Sequence, residues 1–426
     1  MKSALRVLAA SGQLGYGIPQ AAFEAGIMRA PHIIGADMGS IDPGPAYLGS
    51  GGMATSPEMT RRDLGLVLAG ARSLGVPLLI GSAGTAGARP HLDATLAMVR
   101  EIARAQGLRF RLAAIAADIP KALARNARPL GAMRGMDLEG TTHLVGQMGT
   151  EAFIRALDAG ADVVVAGRAC DTAIFAALPL MRGHAPGPAM HMAKIIECTS
   201  LCCEPGGRDA MLATLSGDSF ELESMHPARA ATPLSVAAHA LYEQEDPYTV
   251  QEPEGTLDLH GAHYEAIDER RTRVSGAAWI PRARPTVKIE GAGPFGERGV
   301  LLCSSADPRV IAGLGTILPA VEAITRQLLP GDDYSLHPRI YGDREVFLMI
   351  ECIAPCAARA LAALGVFRQH LLHHGFAGRL STGGNLAFPF TPPELAAGTA
   401  YRFTVYHVID VDALAPLFPV SIEDIA

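Results

Sequence analysis

Long apolar runs are absent from this 426-residue sequence. A representative one, ADVVVAG at 161–167, breaks at glycine far short of the ~20 residues that span a bilayer. Charge is scarce too: Asp, Glu, Lys and Arg make up 19%, and the net charge is −7. No basic stripe of the kind nucleic acid requires is expected. The 49% hydrophobic content excludes a disordered chain. Cysteines number seven, an odd count at no framework spacing, which argues against a disulfide scaffold. A reducing, cytoplasmic location is expected. The opening MKSALRVLAASGQLGYG runs into a glycine loop, not a small-residue cleavage site, and is read as the start of the fold. The length predicts two or three domains, or one core domain with a large second layer, able to bury a core without staples.

What is present is alternation. Residues 4–10, 32–37, 77–83, 110–116 and 161–167 read as buried strands. Helical spacing near Pro19, at 57–74, 91–106 and 151–159 falls between them. Strands alternating with helices indicate βαβ units and a parallel sheet. The expectation for 1–205 is therefore a Rossmann-like α/β domain with helices on both faces. After about 205 the pattern changes to short alternating strands at 219–225, 256–260, 272–280, 285–291, 299–305, 346–354 and 401–410. Helices fit 233–244, 307–329 and 356–374, so 206–426 is expected to be an α+β domain with a mixed sheet.

Three glycine-rich loops follow the first three strands. In SGQLGYG, a candidate ligand loop that begins at Ser11, Gly12, Gly15 and Gly17 let a ligand approach the backbone closely, with the next helix offering N–H groups to an anion. The glycine order is the reverse of the dinucleotide fingerprint, so no NAD site is inferred. In GADMGSIDPGPAYLG, Asp37 and Asp42 place two carboxylates on one loop with Ser40 and Tyr47 as hydrogen-bond donors. In GSAGTAG, Ser82, Gly84 and Thr85 form a possible anion cradle that lacks the P-loop lysine. Further on, Arg168 has the geometry of a carboxylate binder and Asp171 could pair with it, cap a helix or face substrate. On a helix at 188–203, His191, Lys194, Cys198 and Cys202 share one face with Glu197 near its edge. Each motif has a plainer alternative: a tight turn, an Asx cap, a local ion pair, or core cysteines. His239, Tyr242 and Glu243, His373 with His374, Cys352 with Cys356, and the loop Gly383, Gly384, Asn385 are weaker candidates. No G-x-S-x-G elbow is present.

Long stretches resemble the acyclic terpene utilisation AtuA family: RVLAASGQLGYG, GADMGSIDPGPAYLGSG, PLLIGSAGTAG, GADVVVAGRACDTA, HMAKIIECTSLCCEPGG, TPLSVAAHALYEQEDPY and NLAFPFTPPEL. The resemblance runs over nearly the whole chain. It implies a catabolic role of the kind that degrades citronellol or geraniol, and a small ferredoxin-like companion chain, because some relatives carry such a domain at their C-terminus. It attaches no specific chemistry.

The residues suit a small anionic substrate, a carboxylic acid or acyl-CoA. Arg168 or Lys194 would neutralise a carboxylate or thioester enolate, and Asp42 or Glu197 would move a proton. The expected activity is that of a lyase (hydratase or dehydratase) or an isomerase needing no cofactor. One alternative is a divalent-metal enzyme with Asp37 and Asp42 holding Mg²⁺ or Mn²⁺. Another is a non-catalytic scaffold or acyl-CoA-binding subunit. A homo-oligomer is expected, with neither membrane nor nucleic acid as partner.

Overall fold

The computed structural model describes residues 3–242, 246–379 and 386–426. Glu243 and the Gly383, Gly384, Asn385 loop lie outside the described residues. Two compact units divide the chain, Met1–Gly293 with Phe403–Ala426, and Pro294–Arg402.

Among the described residues the first unit holds a ten-stranded mixed sheet. Its spatial order is His263–Ala266, Arg271–Ser275, Ser219–Ser224, Met211–Ser216, Leu5–Ser11, Ile33–Asp37, Leu78–Gly81, Val163–Ala166, Phe110–Ile115, Val420–Ile425. The five strands from Leu5–Ser11 to Phe110–Ile115 are parallel, as the alternating pattern predicts. Helices Gln20–Met28, Pro57–Leu74 and Arg89–Gln106 bury one face, against Leu8, Ile34, Leu78 and Val163. Thr150–Asp158, Asp171–Met181 and Pro186–Ile196 bury the other, against Val7, Ile33, Leu79 and Val164. Leu78–Gly81 and Val163–Ala166 are buried at every position, which is why they read as unbroken apolar runs.

Local chemistry sets the helix ends. Pro57–Leu74 starts at Ser56, whose hydroxyl accepts the Met59 N–H at 3.2 Å, with Pro57 at the first position; it stops at Gly75 in the left-handed region.

The expected boundary at 205/206 is not where the compact units divide. Met211–Ser216 pairs antiparallel with Leu5–Ser11, and the next three strands extend that edge of the same sheet. The change of pattern near 205 therefore marks a switch from parallel to antiparallel pairing. Antiparallel neighbours need only tight turns, such as the one at Gly217, so the strands crowd together. At the opposite edge Val420–Ile425 pairs antiparallel with Phe110–Ile115. The sheet is thus mixed, not wholly parallel.

The second unit follows the order strand, helix, strand, strand, helix, strand. The strands are the later part of Thr286–Ser305, then Ser335–Tyr341, Val346–Ala354, and the early part of Glu394–Asp410. Their lateral order places the first between the third and the fourth, the split βαβ arrangement. Helices Pro308–Leu328 and Ala357–His373 share one core with Leu301, Leu348 and Ile350. The segments expected as separate strands at 285–291 and 299–305 are one continuous strand.

Candidate functional site

Open α/β sheets bind ligands beyond the carboxyl ends of their parallel strands. A cavity of about 280 Å³ lies there, at the ends of Leu5–Ser11 and Ile33–Asp37. Of the residues singled out in the sequence, Ser11, Gly12, Asp37, Ser40, Asp42, Asp171, Cys198 and Tyr242 line it. Gln13, Tyr16, Thr199 and Arg208 add further polar groups.

The first glycine loop is organised by a carboxylate within the chain. Asp63, fully buried on helix Pro57–Leu74, accepts the N–H groups of Gly15 at 3.0 Å, Gly17 at 2.9 Å and Ile18 at 3.0 Å. Arg62 pairs with it at 2.6 Å. Gly15 sits at φ +103, and any side chain there would meet Thr55. These amides therefore already hold an internal anion, which corrects the expectation that they await an external one. Sequence reasoning passed over Asp63, although it falls with Thr60, Leu64 and Val67 on the buried stripe of its helix. A carboxylate on an apolar stripe is the signal that could have found it.

Two groups of buried acids flank the cavity. Asp37 is 4% exposed; one carboxylate oxygen accepts the Gly39 N–H at 3.1 Å and the other, Oδ1, has no hydrogen-bond partner. Burial, then the charge of Asp171, pushes its carboxyl well above the usual range, against the pull of Arg168. Behind Gly12 lies the carbonyl of Glu197, so close that a side chain at Gly12 would collide with it at 2.6 Å. The Glu197 carboxylate is 2.5 Å from Lys194 Nζ, and both side chains are buried. Burial pushes Glu197 up to about 8 despite Lys194. Lys194 and Glu197 do not line the cavity; the Glu197 carbonyl lies behind Gly12, which does. Asp42 is exposed and accepts the Ser40 hydroxyl at 2.8 Å.

Several expected ligand residues are structural. Gly15 is taken up by Asp63, as described. Ser82, Gly84 and Thr85 belong to a fully buried loop. The Ser82 hydroxyl accepts from Arg168 at 3.1 Å, Thr85 Oγ1 accepts the Ala54 N–H at 2.9 Å, and a side chain at Gly84 would strike His91. Tyr47 lies away from the cavity, where its carbonyl meets the His91 ring at 3.1 Å. His191 is a core histidine, edge-on to Phe220 and Tyr264, and burial pushes it down to about 3. Arg168 is 4% exposed and bound inside the protein: Nε donates to Glu290 at 2.9 Å and Nη1 to the Ala169 carbonyl at 3.0 Å. Asp171 lies 3.7 Å from it. Glu290 also meets Lys288 at 3.2 Å. Burial opposes its charge, but Arg168 and Lys288 hold its carboxyl below the usual range. Arg168 does not line the cavity, whereas Arg208, exposed there, forms no ion pair among the described residues.

Residues 78–210 match the family model described as acyclic terpene utilisation family protein AtuA. The match covers about a third of the chain, and over this span the chain is similar to that family. No curated protein and no solved structure matches it. The AtuA span carries Arg168, Asp171, Lys194, Glu197 and Arg208, whereas Asp37, Asp42 and Asp63 lie before it. Among the described residues no helix is long and apolar enough to cross a membrane, and no three His, Cys, Asp or Glu side chains are placed together to hold a metal ion.

Three consequences of this AtuA geometry are measurable in denaturation experiments. Asp63→Ala strands three loop amides and should cost about 3 kcal/mol, with Asp63→Asn costing less because its amide oxygen still accepts. Arg168→Met leaves buried Glu290 with Lys288 as its one cation among the described residues and the Gln147 amide as a donor; a loss of about 3 kcal/mol is expected, much of it restored by adding Glu290→Gln. Glu197 titrates above its unfolded value of 4.5. Its stabilising contribution is complete below pH 4.5 and is lost as pH rises through about 8, because the unfolded chain gives up the proton first. Urea midpoints of Glu197→Gln should decline less over that window than those of the unaltered chain.

Proposed function

We propose that the chain is a lyase of the hydratase or dehydratase type, or an isomerase, acting on a small carboxylic acid or its thioester. The observation that carries the reading is Asp37: a buried acid at a ligand-sized cavity, with one oxygen unpartnered and a second carboxylate, Asp171, lining the same space. Two acids lining one cavity, one driven towards its protonated form, supply an acid and a base together. In the dehydratase direction Asp171 takes the proton from the carbon beside the carboxyl group. Asp37 gives its proton to the departing hydroxyl, which leaves as water. Arg208 holds the substrate carboxylate. The Glu197 carbonyl backs the Gly12 turn. The volume, just under the ~300–1,000 Å³ of drug-sized sites, suits a compact acid, leaving any coenzyme A portion outside. The family description points to acids derived from acyclic terpenes as the first to try.

Proton NMR in D₂O provides the test, using pools of unsaturated acids, 2- and 3-hydroxy acids and matching thioesters, with divalent metal and a small companion chain also supplied. Loss of a C–H signal or a new product is expected. Asp37→Asn should then lower kcat by about a hundredfold or more. Arg208→Ala should raise KM about tenfold, as expected for a lost charge-assisted contact, while Asp42→Asn changes little. Silence in every pool, or full activity in Asp37→Asn, would sink this reading.

A further inference from the structure

A second cavity in the first unit, of about 250 Å³, has a different chemistry. Three cations line it: Arg128, Arg282 and Lys288. Arg128 is paired with Asp410 at 2.9 Å and Lys288 with Glu290 at 3.2 Å. Glu290 is thus shared between Lys288 and Arg168, which leaves excess positive charge on this side of the pair. Arg282 has no acidic partner among the described residues. Its Nη2 donates to the Gln251 side chain at 2.6 Å, and its buried Nε has no hydrogen-bond partner at all.

Glu252, 5% exposed, lines the same cavity. Oε1 accepts the Thr172 hydroxyl at 2.5 Å, while the buried Oε2 has no hydrogen-bond partner. Burial pushes this carboxyl up to about 7. A buried donor and a buried acceptor left open in one small cavity are each costly unless something fills it. Leu130, Pro253 and Val408 supply an apolar wall.

We infer that this cavity is a second binding site, for a small organic carboxylate. Its carboxylate would lie against Arg282 and Lys288, and a hydroxyl or second carboxyl group would meet Glu252 Oε2. The guanidinium fork matches a planar carboxylate. The apolar wall accommodates a short carbon skeleton, which inorganic phosphate lacks. Nothing in this assignment depends on the chemistry proposed for the first cavity. The two are adjacent in the chain nonetheless: Asp171 lines one, and its neighbours Cys170 and Thr172 face the other or its Glu252.

Isothermal titration of the full chain with acetate, lactate, succinate and inorganic phosphate tests the site, run in the unaltered protein and in Arg208→Ala. Saturable binding of lactate or succinate that persists in Arg208→Ala is expected. Arg282→Ala should weaken it about tenfold or more, as a lost charge-assisted contact would, and Arg282→Lys less. Should Arg282→Ala fail to fold, nuclear Overhauser contacts in the unaltered chain between ¹³C-succinate and the methyl groups of Leu130 and Val408 decide the matter. Overturning results are the absence of saturable carboxylate binding, absence of those contacts, binding indifferent to Arg282→Ala in a folded variant, or phosphate binding tighter than any carboxylate.

Discussion

The guanidinium of Arg168 joins more of the first unit than any other side chain described here. Buried at the end of a central strand, it reaches the Ser82 hydroxyl after one neighbouring strand, the Ala169 carbonyl beside it, and Glu290 on a strand far along the chain. A charge taken out of water is tolerated only when its hydrogen bonds are satisfied and its partner is close. Both conditions are met here. The pair therefore fixes the start of helix Asp171–Met181, and with it the placement of Asp171 at one cavity and Thr172 beside the other.

A similar economy governs the loop over the first cavity. The amides that a glycine-rich turn presents to an anion are bound by Asp63, so the loop is held in shape before any ligand arrives. The two buried acids beside that loop differ in their partners. Glu197 is matched with Lys194, whereas Asp37 keeps an oxygen without a partner.

Much of the fold was legible because its elements announce themselves locally. Helix Pro57–Leu74 carries its serine cap, proline start and glycine stop in the sequence, and its observed ends are those expected. The buried parallel strands read as apolar runs between such helices. Less visible were Met211–Ser216, Ser335–Tyr341 and Val420–Ile425. These strands depend on an edge already present for their hydrogen bonds, and nothing in their own composition names that edge. The same limit applies to the site. Ser11, Asp37 and Asp171 could be found from their place after strands. Arg208 lies in a loop with no periodic signal, and Glu290 alternates within a strand like any edge residue.

The sequence by itself determined the layered α/β character, the position of the ligand-sized space at the strand ends, and the AtuA resemblance, since each depends on local pattern or on long matching motifs. Tertiary structure decided which polar groups are spent and which remain. Arg168, Ser82, Thr85 and Gly15 satisfy partners inside the protein, while Asp37, Arg208, Arg282 and Glu252 face cavities. The physical reason is that a charge or hydrogen bond is claimed by whichever group the folded chain brings within about 3 Å, and sequence spacing does not fix that distance.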